Sequence, residues 1–157
     1  MADQKPPVVT TARAVWRAGL EFDAGAVNRM FRVDGNSKSA SSPVEAFLGA
    51  LAACTAGDVV DFLEKRRTPI SRMELDIAAT RRGDFPRRVM KLEITFAVDG
   101  TAIERDQAER AIALSFERYC TVGASLAGDI VLTTILVLNG ERGSPIQQPI
   151  FSATFRG

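Results

Sequence analysis

The side chains best suited to covalent chemistry in this sequence are its two cysteines, Cys54 and Cys120. They lie far apart in the chain, so they do not form a C-x-x-C redox motif. The sequence has no histidine, which removes the commonest general base, the Ser–His–Asp and Cys–His triads, and imidazole metal ligands. Two cysteines without histidine are also too few for a structural zinc site. Any catalysis must therefore use Cys, Asp, Glu, Arg, Lys or Tyr, or a cofactor, and we expect no metal site.

Both cysteines also have a purely structural interpretation. Free cysteine is among the most buried residue types and often serves as a small apolar side chain in a core. Cys54 lies well beyond the first turn of its predicted helix, so the helix dipole should do little to stabilise a thiolate there. A lowered pKa at Cys54 would require an arginine or lysine from elsewhere in the fold. The residues alone leave a reactive and a structural role open for both thiols.

Composition bounds the class of protein. The chain has 157 residues, of which 46% are hydrophobic and 25% charged, as expected for an ordinary globular domain. Its net charge of +1 gives no electrostatic case for binding nucleic acid or an anionic membrane. No nucleotide-binding glycine motif is present, so we expect no cofactor. The start, MADQKPPVVTTAR, lacks the apolar region of a signal peptide, and we expect a cytoplasmic protein.

The domain organisation follows from the same reading. We expect a flexible N-terminus over residues 1–7, a single domain over residues 8–139, and a C-terminal extension over residues 140–157. The aromatic residues Phe151 and Phe155 of the extension are candidates to cover a pocket or a sheet edge.

A helix start is the clearest local signal. Ser42 suits the N-cap, Pro43 the first helical position, and Glu45 can complete a capping box. The helix should run over about residues 43–66, and its first half, apolar nearly all round, should be buried on every side. Glu45 therefore has a complete structural role, and a catalytic role remains an alternative. Because nine residues separate it from Cys54, the two lie on opposite sides of the helix, about 13 Å apart along its axis. Glu45 could then assist a cysteine only across a dimer interface or through another residue.

The remaining elements predict an α+β fold. A meander of three strands is expected before the first helix, starting with residues 8–17, broken at Gly19 and near residues 23–25, and including residues 28–33. Two further strands with alternating apolar residues are expected near residues 73–80 and 90–98. A second helix should cover residues 103–119 and place Cys120 at or just past its end, and a last strand should cover residues 130–138. This order favours helices on one face of a mostly antiparallel sheet.

Two blocks of sequence carry a resemblance to a known family. The stretch from Ser42 to Cys54, SPVEAFLGALAAC, resembles the central-helix signature of the OsmC/organic hydroperoxide resistance (Ohr) family. The stretch from Ala111 to Val122, AIALSFERYCTV, is similar to that family's second cysteine block, in the OsmC-like branch with Tyr-Cys-Ser/Thr-Val. The two blocks occur in the family's order and at its separation.

The resemblance implies an obligate, intertwined homodimer in which mostly antiparallel sheets wrap around two long central helices that carry the cysteines. It implies that the Cys54 thiolate attacks an organic hydroperoxide and becomes a sulfenic acid, which Cys120 resolves to a disulfide. An external dithiol would then reduce that disulfide. Family members place an arginine and a glutamate near the reactive sulfur; Glu45 matches the glutamate and would act from the partner subunit.

The sequence departs from the characterised peroxidases at three places. Their arginine lies in a Gly-Gly-Arg-Asp-Gly-like turn, whereas the corresponding turn here contains Arg17 in a different motif and leaves it only a candidate. Thr121 follows Cys120 where peroxidases often have proline, and the chain extends beyond Asn139. A second hypothesis therefore stands beside the peroxidase: a non-catalytic protein that binds an apolar or electrophilic small molecule in the dimer-interface pocket.

Overall fold

The computed structural model describes residues 5–150. Residues 1–4 and 151–157 lie outside the described residues, and with them Phe151 and Phe155 of the predicted extension. The chain divides into two compact units, with the boundary between Phe47 and Leu48.

The first unit contains an antiparallel meander of three strands, β1 (Arg13–Ala18), β2 (Glu21–Ala26) and β3 (Arg29–Asp34). The strand predicted from residue 8 begins only at Arg13, so the preceding apolar residues have no regular structure. Asp23 in β2 pairs with Arg17 at 2.5 Å and with Arg32 at 2.6 Å on the exposed face of this sheet. Arg17, the candidate for an activating arginine, therefore forms an ion pair within the meander.

The loop after β3 is organised by one buried carboxylate. Asp34 accepts backbone N–H bonds from Asn36, Lys38 and Ser39 at 2.8–3.0 Å, and these bonds lower its pKa to about 2. Three amide donors on one carboxylate hold the polar loop in a compact form that a side chain without acceptors could not support.

The first long helix, α1 (Pro43–Lys65), begins with the predicted capping box. The Glu45 carboxylate accepts from the Ser42 N–H at 2.6 Å, and the Ser42 hydroxyl accepts from the Glu45 N–H at 3.2 Å. By length and composition alone α1 could cross a membrane, a test that the core helix of a soluble protein also passes.

The predicted burial of α1 on every side does not hold in the chain by itself. Its buried side chains are confined to one stripe, Leu51, Thr55, Val59 and Leu63. Other residues of its first half stay exposed, among them Ala53. The reason is geometric: within the second unit, α1 is covered along the side that carries this stripe, and its other sides are not packed against that unit.

The second unit is built on a sheet in the order β4 (Ile70–Arg81), β5 (Val89–Gly100), β6 (Val131–Leu138) and β7 (Glu141–Arg142). A short strand, β8 (Ile146–Gln148), also pairs with β6, so part of the predicted extension belongs to this sheet. All pairs are antiparallel except β5 with β6, which run parallel. The predicted α+β fold with a mostly antiparallel sheet is confirmed. Alternate side chains of β5 are buried in the core, as predicted: Leu92, Ile94, Phe96 and Val98.

The helix predicted over residues 103–119 is divided. A regular helix, α2 (Arg105–Leu114), continues into a π-helical turn over Ser115–Tyr119, and a single turn, α3 (Thr121–Ala124), follows Cys120. Side-chain periodicity cannot separate an α-helix from a π turn of five residues. This local irregularity fixes the position of the second cysteine, and π turns are frequent at functional sites.

Candidate active site at the paired cysteines

Cys120 is held at the junction of the π turn and α3. Its backbone N–H donates to the Ser115 carbonyl at 2.8 Å, which closes the π turn. Its Sγ accepts the Gly123 N–H at 3.2 Å and so caps α3. The side chain is only 3% exposed. A Cβ on residue 123 would lie 3.2 Å from this sulfur, so the close approach of backbone to thiol depends on glycine.

Cys54 lies in the middle of α1 and is half-buried, and both thiols are free. The structure brings the two cysteines together. The pKa of the Cys120 thiol is raised to about 12, first by burial and further by the neighbouring Cys54 thiol and by the charge of Asp58, while the Gly123 N–H opposes the shift. Two residues far apart in the sequence thus form one pair, in which Cys54 is the more accessible thiol.

A buried chain of hydroxyl groups lies next to the pair. Thr55 Oγ1 is 2.9 Å from Ser115 Oγ, and the Ser115 hydroxyl lies 2.7 Å from Asp58 Oδ2, to which it donates. Thr55 and Ser115 are almost completely buried. None of these three residues was predicted from the sequence to belong to the site. Their positions in the sequence could have indicated them as site residues. Asp58 follows Cys54 by one helical turn, and Ser115 belongs to the second cysteine block.

The charged side chain that acts on the Cys120 thiol is acidic rather than basic. No arginine or lysine of the described chain contributes to the pKa of Cys120, whereas Asp58 raises it. Glu45, the third predicted site residue, makes its contacts in the first unit, with Ser42 and with the Ser37 hydroxyl at 3.2 Å. Between residues 5 and 150, no group of three or more Cys, Asp and Glu side chains is placed to hold a metal ion.

A small pocket opens between the C-terminal half of α1 and the α2–π segment. Its volume is about 200 Å³. Its lining combines two carboxylates, one ammonium group, two hydroxyl groups and apolar side chains: Asp58, Asp61, Phe62, Lys65, Ala111, Leu114, Ser115 and Tyr119.

A wider and shallower groove of about 460 Å³ lies between α1 and β4. It is lined only by small or apolar residues: Gly49, Ala52, Ala53, Ala56, Gly57, Val60, Met73 and Leu75. A Cβ added at Gly49 or Gly57 would meet no atom of residues 5–150 within 4 Å, so these residues leave this side of α1 open.

Comparison with known proteins identifies the family. The family described as "OsmC-like protein" matches residues 35–135. Protein YhfA of Escherichia coli K12 is 35% identical over 124 residues, which cover 78% of this chain and 92% of YhfA. The chain belongs to the OsmC-like family. The predicted membership is confirmed, and the two sequence blocks that contain Cys54 and Cys120 fall within the matched residues.

Solved structures of other proteins share the fold. A protein from Aquifex aeolicus VF5 has a TM-score of 0.74 at 20% identity, covering 85% of this chain and 99% of that one. The organic hydroperoxide resistance protein OhrB of Bacillus subtilis has a TM-score of 0.58 at 17% identity, covering 81% and 98%. At these identities the likeness establishes the OsmC-like architecture and nothing about chemistry.

Proposed function

We propose that this OsmC-like protein reduces organic hydroperoxides through Cys54 and Cys120. The observation that carries the proposal is that two free thiols of unequal accessibility neighbour each other. Cys54 and Cys120 are distant in the sequence, so their order along the chain does not by itself require this. Structural relatives named as organic hydroperoxide resistance proteins, from Bacillus subtilis and Legionella pneumophila, support the choice of substrate class.

The reaction balances with the two thiols and one external reductant. The Cys54 thiolate attacks the terminal oxygen of ROOH, the O–O bond breaks, and the products are Cys54 sulfenic acid and, after protonation, ROH. Cys120 then attacks the Cys54 sulfur, an S–S bond forms, and the Cys120 proton leaves with the hydroxyl group as water. An external dithiol reduces the disulfide and is itself oxidised.

The environments of the two sulfurs support different roles for them in this proposal. Cys54 is half-buried, whereas Cys120 is almost fully buried with a pKa of about 12. A thiol that stays protonated at neutral pH is a poor first nucleophile for a peroxide. It can still resolve a sulfenic acid that forms next to it, because the leaving hydroxyl group needs a proton.

The proposal includes the predicted intertwined homodimer. A second copy of the chain would cover the apolar groove along Gly49 and Gly57, where the chain leaves α1 open. It would also supply what the described chain does not place beside the thiols, a cation to stabilise the Cys54 thiolate and the carboxylate of Glu45 from the partner subunit. A cytoplasmic location fits two free thiols whose cycle ends with reduction.

Peroxide consumption by matched variants tests this function. With cumene hydroperoxide and dithiothreitol in excess, wild type should turn over many equivalents, and Cys54→Ser should fall to the background rate. Cys120→Ser should still form a sulfenic acid at Cys54, visible by mass spectrometry as a dimedone adduct, but no intramolecular disulfide. Consumption by Cys54→Ser as fast as by wild type would contradict the proposal.

The acidic surroundings of the thiols favour a second candidate function. Asp58 raises the pKa of the Cys120 thiol and so opposes thiolate formation there, as expected where that cysteine is a spectator and the protein binds an apolar or electrophilic small molecule. That function predicts a ligand that co-purifies with the protein and can be identified by native mass spectrometry. It also predicts that both thiols persist after addition of hydroperoxide.

A further inference from the structure

Each wall of the small pocket described above contains a residue that neighbours one of the cysteines. On the α1 side, Asp58 lies one helical turn after Cys54, and residues at this spacing share a face of a helix. On the other side, the Ser115 carbonyl accepts the Cys120 N–H at 2.8 Å. Tyr119, immediately before Cys120, also lines the pocket. A molecule that reacts with Cys54 would therefore have this pocket beside it.

The pocket carries an uncompensated negative charge. Of its three ionic side chains, Lys65 is paired with Asp61, with Nζ 2.5 Å from Oδ2. Asp58 is held instead by the neutral Ser115 hydroxyl, and no arginine or lysine of the described chain forms an ion pair with it. A half-buried carboxylate acts more strongly on a nearby ion than one in bulk water, because its surroundings screen less.

We propose that this pocket binds the uncharged or cationic polar end of the molecule that reacts with Cys54 and disfavours anionic ones, with Asp58 as the specificity-determining residue. Its carboxylate accepts hydrogen bonds from an amide, hydroxyl or amine, and the Tyr119 hydroxyl can donate or accept. A carboxylate group on the incoming molecule meets like charge instead. The inference deepens the proposed function and rests on the reactivity of Cys54.

Two alkylating agents of nearly equal size test the pocket without any peroxidase turnover. Iodoacetamide is neutral and iodoacetate is anionic, and both transfer their carbon to the thiolate with loss of iodide. The rate of each at Cys54 is followed by mass spectrometry of the full-length protein, and the ratio is compared with that of free N-acetylcysteine amide. We expect iodoacetamide to be favoured more strongly at Cys54 than at the free thiol.

Three variants separate the pocket from other charges. Asp58→Asn should lower the ratio of the two rates by about threefold to tenfold at low ionic strength. Any change in the thiol pKa cancels, because both agents react with the same thiolate. Lys65→Met, an exposed site, should raise the ratio. Glu64→Gln removes the same charge from an exposed position of α1 outside the pocket and should leave the ratio unchanged.

The outcomes distinguish the pocket from the proposed activity. One outcome is a ratio of the iodoacetamide and iodoacetate rates at Cys54 that equals that of the free thiol and stays unchanged in Asp58→Asn and Lys65→Met. That result contradicts the proposed role of the pocket and does not affect the peroxidase proposal. If iodoacetamide does not label Cys54 at all, the reactivity of Cys54 and the pocket are contradicted together. A shifted ratio without any peroxide turnover supports the pocket and contradicts the peroxidase proposal alone.

Discussion

Ser115 and Asp58 are joined by a hydrogen bond of 2.7 Å that links the π turn before Cys120 to α1, the helix that bears Cys54. The same Ser115 hydroxyl lies 2.9 Å from Thr55, which is completely buried. The two cysteine-bearing segments are thus tied together by polar groups as well as by packing. Because a buried hydroxyl without a partner is costly, this link should be tested by removing its members singly and together.

Ser115→Ala should destabilise the protein by about 1–3 kcal/mol, because it leaves Thr55 Oγ1 buried without its partner and removes a donor from Asp58. Adding Thr55→Val to Ser115→Ala should recover part of that loss, since both buried hydroxyls are then gone. Urea denaturation of the wild type, both single variants and the double variant gives the coupling free energy. Strictly additive effects would show that the hydrogen bond between the two hydroxyls contributes nothing to stability.

Gly123→Ala should disturb the cap on α3. The new Cβ would lie 3.2 Å from the Cys120 sulfur and 3.4 Å from Phe116 Cδ1, closer than buried atoms normally pack. We expect a loss of about 1–3 kcal/mol in the free energy of unfolding and faster alkylation of Cys120. Gly83→Ala is the matched control, because a Cβ there meets nothing within 4 Å. Equal urea midpoints for the two variants would contradict this account.

The local parts of the fold were predictable from the sequence because their signals are local. The Ser42–Glu45 capping box depends on four consecutive residues, and the alternation in β5 shows which side chains face the core. The family resemblance depends on two blocks that include both cysteines, so it gave the order of elements as well.

The arrangement of the site was not predictable by the same means. The π turn requires the Cys120 N–H to bond five residues back, which no side-chain pattern specifies. From the sequence alone, Asp58 is expected on the polar face of an amphipathic helix. Its membership of the site follows only from its contact with Ser115, which lies far away in the sequence. The apolar side of α1 that is open in this structure was predicted to be buried. Whether another molecule buries it cannot be derived from the sequence of one chain.

Asp34 should make the protein more stable above about pH 4 than below it. Three backbone N–H bonds lower its folded-state pKa to about 2 from an ordinary value of 3.8, so the folded state binds fewer protons than the unfolded state between these values. The stabilisation is therefore complete above the unfolded pKa and is lost as the pH falls toward about 2.

Asp34→Ala should lower the thermal midpoint by several degrees at neutral pH and by progressively less as the pH is lowered. Asp84→Asn, in an exposed loop, is the control and should follow wild type at every pH. A midpoint difference between Asp34→Ala and wild type that stays constant down to about pH 2 would argue against a lowered Asp34 pKa.

Cys120 should produce the opposite dependence at alkaline pH. Its folded-state pKa is about 12 and its ordinary value is 9.0, so the folded state holds the thiol proton more firmly. The stability that this protonated thiol contributes is present below about pH 9 and declines as the pH rises toward about 12. Under reducing conditions, the stability advantage of wild type over Cys120→Ser should shrink across that window. An advantage that grows with pH would mean that Cys120 ionises readily in the folded protein.

Gly57→Arg should convert the proposed homodimer into monomers. Gly57 lies in the open apolar groove of α1, and within the chain a Cβ there meets no atom within 4 Å, so the substitution has room in the single chain. Arginine also forms helices better than glycine, so the fold of the monomer should not suffer. In a dimer packed on this groove, the bulky charged side chain would have to be buried without a partner.

Size-exclusion chromatography with light scattering measures the mass of each variant. Gly83→Arg, which adds the same charge in a loop, is the control and should remain dimeric. A dimeric Gly57→Arg protein would place the interface elsewhere, and a monomeric wild type would remove the proposed role of the partner subunit.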